Sequence, residues 1–517
     1  MTMTGRNITR RQALLSGAAA AATLPLLSRT AHAAADLDIA IIGGGISGLY
    51  AALRLAAARP TQTVRLFEMG THLGGRLHSF AFPQSSGLIG EMGAARFTQA
   101  HTHVTGLART LDLVARPMPL DLPQARLSLR GRNIPFDHAG VDPLDYAIAP
   151  ADQALSGHTL RSVLAGIIAH DTIPTPEVWA KQRLSIQVQG KALAQWQSTD
   201  LLSSARSPAL RDFLRDTARI DAAGLQGNAL ALGDFLFGDT QAEGPFFTLA
   251  GGFQGLPRAI AAKLAGLGVA ISTGERLVSL AIPGSKNGPF SLAFAGANGR
   301  RSQISAKTVI LALPSAGLEA IPDFSARSAL ALSRVTPVAS AKALLLYKSP
   351  WWSDLAIPGG RSLTDSPARQ FVARGAEPQR LAAEASGGFG LLETLSEAKD
   401  AETLRALATP APADSAGFSL HAPDSPLAAS LHQQACQTYG VPAPAPLAVA
   451  FQDWSVAPFG GGLSAWAKGA DPHSIAPTTL QPLKGRALYV TGDTWSTRQN
   501  TVEGALEQTE ALLQHHF

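Results

Sequence analysis

The sequence predicts an α/β fold that begins with a nucleotide-binding βαβ unit, and three observations support this prediction. Residues 38–42 form a short apolar, β-branched run that ends at a turn containing Gly43, Gly45 and Gly48. Leucines at helical spacing follow the turn, and a second apolar strand delivers Glu68 twenty positions after Gly48 (68 minus 48). With 517 residues, 46% of them hydrophobic, the chain can bury the cores of two or three lobes.

Each part of this unit has a physical reason in a Rossmann-like domain. Gly43 permits the tight turn, Gly45 lets a pyrophosphate approach the backbone, and Gly48 lets the helix pack closely on the strand. The N-terminus of the helix then faces the negative charge. Glu68 can accept hydrogen bonds from both ribose hydroxyls. The alternative is a βαβ unit that binds nothing and carries these glycines by coincidence.

The charge balance argues against a nucleic-acid partner. The chain has 43 Lys and Arg against 38 Asp and Glu, but Arg6, Arg10, Arg11 and Arg29 precede the first acidic residue, Asp36. Without these four arginines the balance is 39 against 38, which is nearly neutral. The rest of the chain shows no basic tract, so we expect no nucleic acid to bind.

Residues 1–33 are typical of a targeting signal. Arg10 and Arg11 open a weakly apolar, alanine-rich run, and residues 31–33 supply a small-residue cleavage pattern. The paired arginines resemble a twin-arginine signal, which implies a periplasmic or secreted protein. The alternatives are a membrane anchor or a surface helix, although the run is short for a stable span.

A single cysteine, Cys436, excludes an internal disulfide framework.

A Gly-Gly-Arg turn distinguishes the chain from nicotinamide-dependent dehydrogenases. Glu68 is followed by residues 73–76, Leu-Gly-Gly-Arg, and here the sequence resembles the flavin-dependent amine oxidase family. The resemblance recurs in segments 248–257, 276–280, 309–314, 487–493 and 501–505. It implies the flavin amine oxidase fold and an FAD cofactor. The FAD is expected to be non-covalent, because the cysteine that anchors flavin in monoamine oxidases is absent.

The resemblance also implies which residues contact FAD beyond the first turn. Arg76 would contact a phosphate or the flavin, and the alternative is a solvated surface arginine. The backbone of Val278 would hold the adenine. The remaining implied contacts lie in the Gly-Gly turn and near the C-terminus, namely Gly75, Gly492, Asp493, Val502, Glu503 and Ala505.

Lys342 is the predicted catalytic lysine. Residues 340–352 resemble the family strand whose lysine holds a water near the flavin N5. A lysine among Ala, Leu and Tyr is costly to bury unless it is solvated or paired, and a water-bridged site provides this. The alternative is a lysine at a strand edge that reaches solvent. No metal site is expected.

The predicted substrate class depends on Arg96. Residues 91–97 resemble the stretch of L-amino acid oxidases whose arginine holds the substrate carboxylate over the flavin. A planar guanidinium is the natural bidentate partner of a carboxylate. The alternatives are a flavin contact or a structural ion pair. Trp454 and Trp466 are candidates to line the substrate cavity, although aromatic residues near buried strands are more often plain core.

These observations predict three domains after the signal. The FAD-binding domain comprises residues 36–105, 246–332 and 446–517. A mixed-sheet substrate-binding domain comprises residues 106–139 and 333–445, and a helical insertion comprises residues 140–240. A substrate would lie in the clefts between such domains.

In the predicted reaction, an L-amino acid and O2 give an imino acid and hydrogen peroxide, and water then hydrolyses the imino acid to a 2-oxo acid and ammonia. A homodimer without a stable membrane span is expected. One alternative is an oxidase or dehydrogenase acting on a polyamine or a heterocyclic amine. Another is a non-catalytic, flavin-binding assembly partner.

Overall fold

A computed structural model describes residues 35–517, apart from residues 86, 136–145, 156–158, 169–171, 218–222, 239–243, 297–298, 329, 375–387, 411, 413–415 and 458. The predicted signal at residues 1–33 lies outside the described residues. Among the helices that are described, none is both long enough and apolar enough to cross a membrane.

The strands of the described residues are β1 (Leu37–Ile42), β2 (Val64–Phe67), β3 (Ser79–Ala81), β4 (Ile89–Glu91), β5 (Phe97–Thr98), β6 (Ala115–Pro117), β7 (Arg126–Leu129), β8 (Arg132–Pro135), β9 (Gln187–Val188), β10 (Lys191–Ala192), β11 (Phe246–Leu249), β12 (Ala270–Ser272), β13 (Glu275–Ala281), β14 (Phe290–Gly296), β15 (Arg301–Leu311), β16 (Val335–Val338), β17 (Ser340–Tyr347), β18 (Gly360–Thr364), β19 (Gln370–Arg374), β20 (Gly390–Glu393), β21 (Ser396–Glu397), β22 (Phe418–His421), β23 (Ala448–Asp453), β24 (Leu463–Trp466) and β25 (Leu488–Val490).

The α-helices of the same residues are α1 (Ile46–Ala58), α2 (Thr102–Thr110), α3 (Leu160–Ile167), α4 (Pro176–Gln182), α5 (Ser198–Ala205), α6 (Pro208–Thr217), α7 (Ala223–Gln226), α8 (Ala229–Gly233), α9 (Gly255–Gly266), α10 (Ser315–Glu319), α11 (Pro322–Arg327), α12 (Ala398–Leu407), α13 (Pro426–Tyr439), α14 (Pro472–Thr479) and α15 (Val502–His516).

A seven-stranded sheet contains the predicted βαβ unit. Its order is β12-β2-β1-β15-β14-β13, and β25 pairs with β15. The pairs among β12, β2, β1, β15 and β25 are parallel, whereas β14 and β13 join antiparallel. Ile39 and Ile41 pack in one core with α1 and α15, while Ala40 and Ile42 pack on the opposite face. Because β1 is covered on both faces from Ile39 to Ile42, these four residues are apolar, as in a parallel strand between two layers.

A nine-stranded sheet lies beside the first and is mixed. Its order is β22-β23-β17-β20-β19-β18-β7-β8, with β21 paired to β17. The β7–β18 pair is parallel and the other pairs are antiparallel. One face of β17 packs on α12 and α13 through Ala341, Ala343 and Leu345. Its other face carries Lys342, and Leu344 and Leu346 on that face pack against Met92.

The nine-stranded sheet includes one strand from a segment predicted to belong elsewhere. β23 falls within residues 446–517, which were assigned to the FAD-binding domain, yet it pairs with β17 and β22. Its apolar pattern does not identify the sheet that it joins, because both sheets bury apolar strands. The other predicted domain bounds stay predictions.

The predicted helical insertion contains α3 to α8, with its own core. That core contains Trp179, Phe213 and Phe237 and also takes Leu127 and Leu363 from the nine-stranded sheet. A buried carboxylate lies beside this core. It belongs to Asp234 and accepts hydrogen bonds from the Trp179 indole N–H and from the Arg183 guanidinium. Pairing of this kind makes burial of the Asp234 charge tolerable.

Candidate functional site

The turn between β1 and α1 excludes side chains at two glycines and leaves open space at the third. Gly43 has φ +108°, and a Cβ there would collide with the Ala312 carbonyl oxygen. A Cβ on Gly48 would collide with the Gly43 carbonyl oxygen. A Cβ on Gly45 would meet nothing within 4 Å. The turn therefore packs tightly behind Gly43 and Gly48 and has open space at Gly45, as a pyrophosphate at this position requires.

The N-terminal ends of two helices meet at this open space. No described side chain caps α1 at Gly45, and its first turn contains no acidic residue. The Ser47 hydroxyl donates to the Ala505 carbonyl oxygen at 3.4 Å, which joins the first turns of α1 and α15. Val502, a predicted FAD contact, is the first residue of α15 and is buried. The uncapped end of α1 favours a bound anion, whereas α15 is capped by the Thr501 hydroxyl and carries Glu503 in its first turn.

Glu68 lies at the carboxyl end of β2 beside the glycine turn. Its two carboxylate oxygens accept hydrogen bonds from the backbone N–H groups of Gly44 and Gly70, each at 2.7 Å. Burial raises the pKa of Glu68, and these backbone hydrogen bonds oppose the rise. The structure therefore brings Glu68 to the turn, as the spacing predicted.

Arg76 joins the Gly-Gly turn to the C-terminal strand. Gly75 has φ +57°, and the Arg76 side chain that follows is half-buried. Its guanidinium pairs with both carboxylate oxygens of Asp493 and donates to the Gly462 carbonyl oxygen at 2.9 Å. Arg76 is therefore not a solvated surface residue. It fixes Asp493 and the adjacent Gly492, which has φ +137°, beside the glycine turns.

Val278 lies at an irregularity in β13. The register with β14 shifts between Leu277 and Ser279, so the Val278 backbone falls outside the regular ladder. A bulge of this kind frees backbone groups for other partners. The feature fits the backbone contact with adenine that was predicted for this residue.

Lys342 is buried, with 7% of its surface exposed. Its Nζ donates to the Gly93 carbonyl oxygen at 3.1 Å. Burial lowers the pKa of Lys342, while the nearby carboxylates of Glu393 and Glu91 raise it. Lys342 therefore does not lie at a strand edge in contact with solvent.

Glu91 is a buried acid beside Lys342 that the sequence analysis did not single out. Its carboxylate accepts from the Phe253 N–H at 2.8 Å and from the Ser79 hydroxyl at 2.7 Å. Burial raises the pKa of Glu91 to about 7. A native carboxyl group with this pKa is partly protonated near neutral pH.

Glu393 is a second buried acid that sequence reasoning missed, and it is paired with the half-buried Arg374. The Arg374 Nε lies 2.7 Å from Glu393 Oε1. The same carboxylate oxygen accepts from the Glu91 backbone N–H at 3.2 Å. An acidic residue that ends the apolar run 390–392 was the available signal, because such a residue is rarely buried without a partner.

Arg96 is half-buried, five residues after Glu91. Its guanidinium carbon lies 5.3 Å from the centre of the Phe246 ring. Its positive charge, like that of Arg374, lowers the pKa of Lys342, so both guanidinium groups lie within electrostatic range of the lysine. The structure thus places the two predicted catalytic residues, Arg96 and Lys342, in one cluster.

The two predicted cavity tryptophans differ in their surroundings. The Trp454 indole N–H donates to the Met92 carbonyl oxygen at 2.7 Å, and its ring packs edge-on to Phe459. Trp466 packs against Trp495 in the core behind the first sheet. Substrate contact by either residue stays a prediction.

Glu503 has a structural role that the sequence analysis did not foresee. It is completely buried, and its carboxylate accepts from the N–H groups of His103 at 3.0 Å and Val104 at 2.9 Å. It thereby caps the N-terminus of α2. The ligand atoms of three residues also lie close enough to hold a metal ion, namely those of His103, Glu503 and Glu507. The Glu503 carboxylate, however, already accepts hydrogen bonds from the N-terminus of α2, and Glu507 forms an ion pair with Arg498.

The comparisons agree with this geometry. A family model described as flavin containing amine oxidoreductase matches residues 46–510. Aplysianin-A of Aplysia kurodai is 24% identical over 523 residues, covering 93% of this chain and 90% of that protein. An L-amino-acid oxidase of Mus musculus is 25% identical over 369 residues, covering 65% and 52% respectively. A triple mutant of putrescine oxidase, a solved structure, aligns with TM-score 0.66 and 16% identity over 92% of this chain and 98% of its own.

The chain belongs to the flavin-containing amine oxidoreductase family, because the family match covers most of its length. The structural likeness supports the flavin amine oxidase fold. The protein is therefore an FAD-dependent oxidoreductase that acts on amines. FAD fits at the open space beside Gly45, at the adjoining N-terminus of α1 and next to Glu68. The charged cluster around Lys342 is the candidate active site.

Proposed function

We propose that the protein oxidises L-amino acids to 2-oxo acids, with release of ammonia and hydrogen peroxide. The observation that carries this proposal is the contact of the buried Lys342 Nζ with the Gly93 carbonyl oxygen, at 3.1 Å and three residues before Arg96. A guanidinium binds a carboxylate through two parallel hydrogen bonds, which fixes both the position and the orientation of the α-carbon. The likeness to an L-amino-acid oxidase over 65% of the chain supports the same substrate class.

In the proposed reaction, Arg96 binds the substrate carboxylate and Lys342 acts at the reacting end. One N–H of the Lys342 ammonium donates to Gly93, and an ammonium has three donors. The other two N–H donors of the Lys342 ammonium can hold a water that receives or delivers a proton. The lowered pKa of Lys342 makes such a transfer easier near neutral pH. FAD, when bound, would supply the two-electron oxidation of the α-C–H bond, with O2 as the final electron acceptor.

We also propose the FAD contacts and domains that the sequence predicts. FAD is held without a covalent bond, and the FAD-binding, substrate-binding and helical domains keep the predicted bounds apart from β23. The cofactor contacts are Gly43, Gly45, Gly48, Glu68, Gly75, Arg76, Val278, Gly492, Asp493 and Val502. Precipitation with acid should release all of the flavin to the supernatant, and flavin retained in the pellet would contradict non-covalent binding.

Export by the twin-arginine route and a homodimer also belong to the proposal. Support for export comes from the residues of segment 1–33. Arg10→Lys together with Arg11→Lys should abolish export while leaving the cytoplasmic protein folded around FAD. Size-exclusion chromatography with light scattering would measure the oligomeric state, and a monomer at micromolar concentration would contradict the dimer.

A second candidate is oxidation of a carboxylate-free amine. The likeness to putrescine oxidase and the buried acids Glu91 and Glu393 favour it, because a carboxylate could bind a distal ammonium. Glu393 is, however, already paired with Arg374. The charge of Arg374 therefore reduces the attraction of Glu393 for a further cation.

The deciding experiment is peroxide formation by purified holoprotein with a panel of L-amino acids and a panel of amines. Activity on amino acids is expected, and activity only on carboxylate-free amines would overturn the proposal. Arg96→Ala and Lys342→Met should both slow anaerobic flavin bleaching by the preferred amino acid. Arg327→Ala, which removes an arginine bonded to the Ile282 carbonyl oxygen, is the matched control and should bleach like the parent.

A further inference from the structure

Three side chains of the nine-stranded sheet hold three consecutive backbone positions. Glu393 accepts the N–H of Glu91, the Trp454 indole donates to the carbonyl oxygen of Met92, and Lys342 donates to the carbonyl oxygen of Gly93. The distances are 3.2, 2.7 and 3.1 Å. We call these three side chains the backbone clamp.

The clamp comes from neighbouring strands. β23, β17 and β20 are adjacent in the sheet, Lys342 and Glu393 belong to β17 and β20, and Trp454 follows the last residue of β23. Antiparallel pairing fixes the register of β17 with both neighbours. The spacing of the three side chains is therefore set by backbone hydrogen bonds rather than by flexible loops.

The clamped segment also lies too close to its surroundings to move. A Cβ on Gly90 would lie 2.6 Å from the Leu344 side chain and 2.8 Å from that of Leu391. A Cβ on Gly93 would collide with the Arg76 carbonyl oxygen. The segment thus lies between the sheet and the Gly-Gly-Arg turn, and three residues beyond it the chain reaches Arg96.

We propose that Glu393 and Trp454 are positioning residues: by holding the backbone of residues 91–92 against the sheet, they set where Arg96 lies relative to Lys342. This inference rests on the proposed function, in which Arg96 binds the substrate carboxylate. Arg374 orients the Glu393 carboxylate through an ion pair to Oε1, the same oxygen that accepts the Glu91 N–H. The acceptor oxygen of Glu393, rather than its charge, is what holds the Glu91 N–H.

The distinction between acceptor and charge makes the inference testable. Glu393→Gln keeps an acceptor oxygen at the same place, whereas Glu393→Leu removes it. Trp454→Phe keeps a ring but loses the indole N–H donor. Asp234→Leu is the matched control, because Asp234 is also a buried carboxylate paired with an arginine but lies in the helical insertion.

The first measurement is anaerobic flavin reduction followed by stopped-flow absorbance. A displacement of about 1 Å can cost about 100-fold in rate, so Glu393→Leu should lower the reduction rate at saturating amino acid by about that factor. Trp454→Phe should lower it by about tenfold, the equivalent of about 1.4 kcal/mol. Because the Glu393 charge also raises the pKa of Lys342, each variant is measured at its own pH optimum, where Glu393→Gln should remain within about twofold of the parent. The Asp234→Leu control should reduce its flavin like the parent even where its melting temperature is lower.

The second measurement does not need turnover. Benzoate carries a carboxylate but no amine, and its binding can be followed as a perturbation of the flavin spectrum. Benzoate should bind about tenfold more weakly to Glu393→Leu and to Trp454→Phe, a loss of about 1.4 kcal/mol. Arg96→Ala gives the reference for complete loss of the carboxylate contact.

Several results would overturn the clamp. One such result is a Glu393→Leu variant that reduces its flavin and binds benzoate like the parent. Another is a Glu393→Gln variant as impaired as Glu393→Leu, because loss of the charge and not of the acceptor oxygen would then cause the impairment. If Glu393→Leu does not fold, Trp454→Phe decides by the same two measurements. If only carboxylate-free amines bleach the parent, the proposed function fails. Benzoate binding alone then tests whether Glu393 and Trp454 position Arg96.

Discussion

The protonation of Glu91 predicts how the stability of the protein depends on pH. The carboxyl group is buried between Ser79, the Phe253 backbone and Lys342, and its native pKa is about 7 against an ordinary value of 4.5. Between these two pH values the native carboxyl holds a proton that the unfolded chain has released. Folding therefore takes up a proton, and the free energy of unfolding falls as pH rises from 4.5 to about 7.

The magnitude follows from the same two values. A pH unit is worth about 1.4 kcal/mol, so the interval from 4.5 to about 7 corresponds to about 3 kcal/mol. Glu91→Gln removes this dependence, because the amide has the shape of the neutral carboxyl and does not ionise. Its carbonyl oxygen can still accept from Phe253, and the Ser79 hydroxyl can rotate to accept from its NH2 group.

Equilibrium unfolding in urea at pH 5 and pH 8, with saturating FAD, would measure this effect. The free energy of unfolding of Glu91→Gln relative to the parent should be higher at pH 8 than at pH 5, by up to about 3 kcal/mol. Glu402→Gln, on the exposed side of α12, is the control and should change little at either pH. The same pH dependence in the parent and in Glu91→Gln would refute the reasoning, because the native carboxyl would then be ionised throughout.

Two further predictions concern the FAD site and a helix end. Gly48→Ala should purify with much less FAD, because a Cβ there collides with the Gly43 carbonyl oxygen and opens the turn. The ratio of flavin to protein absorbance measures this, and Gly106→Ala, where a Cβ meets nothing within 4 Å, should keep its flavin. Glu503→Gln should destabilise the protein by about 1 kcal/mol, since α2 loses the charge at its N-terminus. Thermal unfolding measures that loss, and an unchanged melting temperature would exclude the capping role.

The features that the sequence predicted well are those set by local chemistry. At the β1–α1 turn, a Cβ on Gly43 or Gly48 would collide with backbone, and the open space at Gly45 is what a dinucleotide-binding βαβ unit requires. Glu68 reaches the turn because β2 lies directly beside β1 in parallel. A short connection between adjacent strands makes that position predictable from spacing alone.

The features that the sequence did not predict depend on contacts between distant segments. Glu91 and Glu393 are 302 positions apart, yet the backbone of one bonds the carboxylate of the other. The partner of β23 could not be predicted either, because the alternation of apolar residues gives the faces of a strand and not its neighbours. The bond from the Trp454 indole N–H to the Met92 carbonyl oxygen could not be predicted for the same reason, because the two residues are 362 positions apart.

The sum of charges around Lys342 bears on the choice between an amino acid and a diamine. Three cations, Lys342, Arg96 and Arg374, face two acids, Glu91 and Glu393. Because burial raises the pKa of Glu91 to about 7, this acid offsets less positive charge near neutral pH. A second ammonium on a substrate would be repelled by Lys342 whenever both are charged, whereas a carboxylate would be attracted to it. We therefore expect the charges around Lys342 to favour an anionic group on the substrate, and the panels of amino acids and amines measure that preference.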